Sequence, residues 1–145
     1  MGNYAQGLFT PKNPEKYMGN VNKIMCRSGW EYSVCMLFDR NPAVISWGSE
    51  ILTIPYQNPF TASWTVYIPD FLVVYADKKG VKHCEILEVK PAKETPTYKG
   101  KISTRTRLTQ AINQAKWAAA MKFAIKRGWF FRVLTEREIF GYGKK

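Results

Sequence analysis

The sequence predicts an α/β domain: a single mixed, mainly antiparallel sheet flanked by helices. Three observations predict it. Residues 28–40 and 104–127 show helix-type apolar spacing with helix end signals. Residues 43–90 between them hold short apolar runs separated by turn residues, and a last apolar run, 129–135, follows the second helix. A length of 145 residues suits one domain with a real core. Residues 1–27 are expected to be an irregular N-terminal arm and 28–145 the domain proper.

In the first helix, Ser28 is a good N-cap and Glu31 stands at capping-box spacing. Trp30, Val34, Leu37 and Phe38 make one apolar stripe, and Asn41-Pro42 ends the segment. Strands are expected at 43–47, at 50–56 with Pro55 marking a strand end or an edge, and at 64–75 with Pro69 as a kink or edge feature. Asp77–Gly80 reads as a hairpin turn and 81–90 as the returning strand. Residues 91–101 form a polar loop. The long helix 104–127 has no Gly or Pro, presents a stripe of Leu108, Ile112, Ala115, Ala119 and Phe123, and stops at Gly128. Residues 129–135 read as a buried strand, and Thr135 with Glu138 as the cap of a last short turn. Trp47, Trp64, Trp117 and Trp129 are expected in the core.

Composition excludes several classes. At 46% hydrophobic and 14% aromatic residues the chain is globular. No apolar run approaches the roughly 20 residues that span a bilayer, the first residues lack the apolar core of a secretory signal, and Gln6 departs from a myristoylation signal; no membrane partner is expected. Cys26, Cys35 and Cys84 form no CxxC pair, so reduced thiols are expected rather than a zinc site. His83 lies within a strand, away from the acidic cluster, and has no expected catalytic role.

The net charge of +11 is concentrated: residues 93–145 carry 13 basic and 3 acidic groups, whereas residues 1–92 are nearly balanced. One basic face implies a polyanionic partner, of which nucleic acid is the commonest.

The residues with chemical potential lie on the hairpin. Side chains at i and i+2 of a strand share a face, so Glu88 and Lys90 point together and Val89 points away. Antiparallel pairing through the Asp77–Gly80 turn returns the start of one strand to the end of the other, which brings Asp70 beside Glu88 and Lys90. Two neighbouring carboxylates repel unless a cation sits between them, and hard oxygen ligands suit Mg²⁺ or Mn²⁺. The Val89 carbonyl is a further candidate ligand. Glu31 has two competing readings: helix cap, or third carboxylate of the site.

Pro69-Asp70 followed by Glu88-Val89-Lys90 resembles the PD-(D/E)xK signature of restriction-endonuclease-like nucleases. The ordered set Arg27-Ser28-x-Trp30-Glu31, Asn41-Pro42-x-Val44, Pro55-Tyr56, Pro69-Asp70-Phe71 and Glu88-Val89-Lys90-Pro91 is similar to transposon-end and very-short-patch-type relatives. Over almost its whole length the chain most resembles the head completion nucleases of large contractile-tailed bacteriophages. That resemblance implies a restriction-endonuclease-like fold and a Mg²⁺-dependent (or Mn²⁺-dependent) endonuclease of double-stranded DNA. It implies Glu31, Asp70 and Glu88 as metal-site carboxylates and Lys90 as the catalytic lysine, with Gln110 or Gln114 as possible support. It further implies trimming of the packaged DNA end before tail attachment, head or neck proteins as partners, and the host cytoplasm, with possible retention in the virion, as the place of action. Lys93, Lys99, Lys101, Arg105 and Arg107 would then meet phosphates beside the scissile bond. The competing readings are a catalytically silent protein of the same fold that seats the DNA end in the head or neck, and a transposon-type or repair nuclease.

Overall fold

The computed structural model describes residues 7–95 and 99–137. In chain order these form β1 (Gly7–Leu8), β2 (Met25–Cys26), α1 (Gly29–Arg40), β3 (Val44–Ser49), β4 (Ile54–Gln57), β5 (Trp64–Tyr67), β6 (Phe71–Ala76), β7 (Lys82–Val89), α2 (Thr104–Lys126) and β8 (Phe130–Leu134). The main sheet has the order β3-β6-β7-β8. Its first three strands are antiparallel, and β8 joins β7 in parallel after the α2 crossover. Two small ribbons, β1-β2 and β4-β5, stand beside it.

Period-two alternation divides the core between the two faces of this sheet. Phe71, Val73, Leu87 and Val89 pack with Val34, Cys35 and Phe38 of α1 and with Trp47. Leu72 and Ile86 point the other way, toward Trp117, Ala120 and Ala124 of α2 and toward Ile54, Tyr56 and Tyr67 of the β4-β5 ribbon. Burying both faces is what a parallel β7-α2-β8 unit requires.

The N-terminal segment is built into this core. Phe9, Ile24 and Cys26 are buried on the α1 side, with the Cys26 and Cys35 sulfurs 3.6 Å apart. Asp39, 1% exposed, anchors the segment. Its carboxylate accepts the backbone N–H groups of Lys12 at 2.8 Å and Asn13 at 2.9 Å. Lys16 donates to the carbonyls of Phe38, Asp39 and Asn41, which places a cation on the carbonyl end of α1. Asp39→Ala would leave two N–H groups without their charged acceptor. It is expected to cost about 2–4 kcal/mol, read as a lower urea midpoint with an unchanged slope.

Ser28 caps α1 as its position predicts, its hydroxyl oxygen accepting from Glu31 N–H at 3.2 Å. The Asp77–Gly80 turn closes with Gly80 at φ +81°, and Gly128 at φ +73° ends α2. Six expectations need correction. Residues 64–75 are not one kinked strand: Pro69 has no N–H for a ladder, and the chain leaves the β4-β5 ribbon before Asp70 and enters the main sheet at Phe71. Of residues 50–56 only Ile54–Tyr56 lie in a strand, because Glu50 takes a left-handed backbone at φ 56° that breaks the extended run. The buried line of α2 is Asn113, Trp117, Ala120 and Ala124, about one residue around from the predicted stripe. Burying the large indole beside two alanines lets α2 approach the sheet closely, and Leu108 is left 49% exposed. Strand β8 is an edge strand with Phe130 exposed, not a buried one, and Leu37 of α1 is exposed as well. Finally, Trp47 and Trp117 are core and Trp129 is half-buried, but Trp64 is 70% exposed. The cap predicted at Glu138 lies outside the described residues.

Candidate active site

The β6-β7 hairpin pairs Phe71 with Leu87, so the residues just beyond that pair, Asp70 and Glu88, meet at the sheet end opposite the turn. Val89 N–H donates to Asp70 Oδ2 at 2.7 Å, and Asp70 N–H donates to Glu88 Oε1 at 3.3 Å. Each acid is thus held by the other strand's backbone. Strand β8 fixes the opposite edge, where Lys90 N–H donates to the Leu134 carbonyl at 3.0 Å. Lys90 Nζ lies 3.7 Å from Glu88 Oε2, on the same side as the i, i+2 spacing requires, while Val89 packs into the α1-side core.

Tyr67 completes the setting of Glu88: its hydroxyl donates to Oε1 at 2.8 Å. Glu88 is 5% exposed. Burial therefore pushes its carboxyl up, against the pull of the Tyr67 hydroxyl and the Lys90 ammonium. Burial, followed by the charge of Glu88, pushes Asp70 up to about 7. The Val89 N–H and Lys90 offset only part of that rise.

Glu31 approaches from the N-terminus of α1. Its carboxylate accepts from Arg27 N–H at 3.3 Å and from the Ser28 hydroxyl at 3.5 Å, a capping arrangement displaced one residue upstream. Burial and then the Asp70 charge raise it to about 6. The same carboxylate therefore serves the helix start and feels the Asp70 charge.

Asp70 and Glu88 place hard oxygen donors side by side with an excess of negative charge, which fits a divalent cation of the Mg²⁺ or Mn²⁺ kind. Among the described residues no three His, Cys, Asp or Glu side chains stand close enough to enclose an ion. The fit is to an open site that keeps water on the metal, as Mg²⁺ prefers.

Gln110 and Gln114 lie further along the chain, on α2. Gln110 Nε2 donates to the carbonyls of Lys93 at 3.0 Å and Thr95 at 2.8 Å, so it ties α2 to the loop after β7. Gln114 is exposed. Lys93, Lys99, Lys101, Arg105 and Arg107 are all exposed along that loop and the first turns of α2. His83 is at the other end of the hairpin, its Nε2 2.8 Å from Asp77 Oδ2.

Four neighbours were missed from sequence. Tyr67 is one. Buried Asn113 is another, its amide reaching the Glu94 carbonyl at 3.4 Å. Lys116 Nζ lies 5.7 Å from the Tyr67 ring centroid, and its charge also holds the Glu88 carboxyl down. Glu50 forms a two-bond pair with Arg27 at 2.9 and 3.2 Å, and its N–H donates to the Asp70 carbonyl. Tyr67 stands three residues before Asp70, and that short separation was the available signal. Lys116 offered only the excess of cations on its helix, and Glu50 offered none.

Residues 41–136 match the family model described as TnsA-like endonuclease N terminal. The chain is 36% identical over 148 aligned residues to the head completion nuclease of Enterobacteria phage T4, an alignment that covers 96% of each protein. No solved structure gave a significant match.

Proposed function

The chain belongs to the restriction-endonuclease-like family of TnsA-like endonuclease N-terminal domains, and from that premise we propose that it is a phage head-completion nuclease that hydrolyses double-stranded DNA with Mg²⁺ or Mn²⁺. Its task on this reading is to trim or process the packaged DNA end before the tail joins, in the host cytoplasm and in contact with head or neck proteins. The observation that carries the reading is the pairing of half-buried Asp70 with buried Glu88, with Lys90 on its face. Desolvating two adjacent carboxylates works against folding, and the arrangement makes sense as the resting form of a cation site on a DNA-cutting surface.

The residues have distinct duties in this mechanism. Asp70 and Glu88 would hold the cation, with Glu31 and the Val89 carbonyl at its margin. The bound cation supplies Lewis-acid charge against the scissile phosphate. Val89 N–H and the Tyr67 hydroxyl fix the two carboxylates so that little reorganisation accompanies charge development. Lys90 offers the one ammonium in direct contact with this pair among the described residues, and it stabilises negative charge as it grows on phosphate oxygen or on the attacking water. Lys93, Lys99, Lys101, Arg105 and Arg107 meet the flanking phosphates, which gives salt-dependent, sequence-tolerant binding.

Incubation with linear and branched DNA in Mg²⁺ or Mn²⁺, against EDTA, tests the proposal. Cleavage with metal and none in EDTA is expected. DNA binding without turnover under every metal condition would instead assign a silent end-seating protein of the same fold.

A further inference from the structure

We propose that the β4-β5 hairpin and the C-terminal half of α2 form a second DNA contact, which takes an unpaired single-stranded segment next to the cleavage site and stacks a base on Trp64. The inference rests on the DNA reading above and extends it to a substrate class: duplexes with a frayed or tailed end.

The hairpin has an unusual surface. Residues 54–67 contain no charged side chain. Its register pairs Pro55 with Val66 and Gln57 with Trp64, so these four share the outer face while Ile54 and Tyr56 are buried against α2. Trp64 is 70% exposed, Val66 54% and nearby Phe60 55%. Among the described residues none covers this indole.

The opposite wall, on α2, combines Ala115, Ala118, Ala119 and Phe123 with three cations. Trp64, Pro55 and Gln57 line a groove of about 610 Å³ together with Lys122, Lys126 and Arg127. Residues 104–127 hold six basic and no acidic side chains, so this wall carries no internal counter-charge. The Arg127 guanidinium lies 3.4 Å from the Phe123 ring centroid, a cation–π contact that fixes this cation at the groove's end. An uncharged hairpin side bearing Trp64, set across from Lys122, Lys126 and Arg127, matches a strand whose bases turn one way and whose phosphates turn the other. Duplex DNA offers the phosphates but keeps its base faces stacked. Along the DNA, an unpaired base is what frees a face for the Trp64 indole.

One strand links the groove to the catalytic end. Strand β5 runs from Trp64 to Tyr67, whose hydroxyl binds Glu88. Three residues of strand span about 10 Å, which is about three nucleotides of stacked strand. Lys122 and Lys126, one turn apart, continue the line along α2.

The test is the full chain in EDTA with a fluorescein-labelled duplex, blunt or carrying a tail of six unpaired nucleotides. Wild type is expected to bind the tailed duplex roughly tenfold more tightly than the blunt one. Trp64→Ala is expected to reduce that ratio to about one, and Trp64→Phe to keep most of it. Lys122→Ala/Lys126→Ala is expected to flatten the salt dependence of tailed-duplex binding by about one unit of slope. Equal binding of the two duplexes by wild type overturns the proposal, as does a tail preference that survives Trp64→Ala, which would reassign the hairpin to a protein partner. Metal-dependent cleavage of blunt DNA without tail preference defeats this inference alone; absence of cleavage on any DNA defeats the reading beneath it.

Discussion

Asp70→Asn is expected to slow metal-dependent DNA cleavage by about a thousandfold or more and, at the same time, to make the metal-free protein more stable. The two effects share one cause. Burial and the neighbouring Glu88 raise the Asp70 carboxyl to about 7 in the folded state, against an ordinary value near 3.8. A carboxyl raised on folding favours the native state while protonated in both states. That advantage fades as pH climbs from about 4 through about 7, and above 7 the charged group is a standing cost. Asparagine keeps an acceptor for Val89 N–H and removes the charge. The variant should therefore melt much like wild type at pH 4 and gain about 1–3 kcal/mol over it at pH 8. Thermal melts at both pH values, beside single-turnover cleavage, check this. An inactive variant less stable at pH 8 would mean that the Asp70 charge holds the fold together, contrary to the account.

Lys90→Met carries the opposite stability sign. Its ammonium lies 3.7 Å from Glu88 and lowers both the Glu88 and Asp70 carboxyls, so its loss leaves the acidic pair with less compensation. Methionine keeps the apolar stem. Cleavage is expected to fall by about a hundredfold to a thousandfold, while duplex affinity in Ca²⁺ or EDTA shifts less than about threefold, since the exposed cations of 93–107 supply most phosphate contacts. Stability at pH 8 should drop by about 1 kcal/mol. Fluorescence anisotropy and single-turnover kinetics separate binding from turnover. If affinity and rate fell together, Lys90 would be a phosphate-docking residue and not one that acts on the reacting group.

The hairpin was the most legible part of the chain. The Asp77–Gly80 turn fixes the register, and register with strand alternation places Asp70, Glu88 and Lys90 at one sheet end without any tertiary information. Helix limits were also readable, because Ser28 and Gly128 impose their own local geometry. What escaped depended on contacts between distant segments. Apolar residues nearly surround α2, so periodicity could not say that Trp117, and not Leu108, turns inward. The break at Ile68-Pro69 sends one apolar run into two sheets, a choice made by the β4 partner. Asp39, spaced as an ordinary surface acid, is buried because the N-terminal segment crosses over it. Glu31 is bonded at the helix start, as a cap, while burial and then the nearby Asp70 charge raise its carboxyl.

Calorimetric titration of Mn²⁺ into the metal-free protein at pH 7, in two buffers of different ionisation enthalpy, tests the central claim most directly. With Asp70 near 7, wild type should bind the ion and release about half a proton per site, and Asp70→Asn should bind far more weakly with that release gone. Equal binding by the two proteins, or no binding by wild type, would contradict a divalent-cation site built on Asp70 and Glu88.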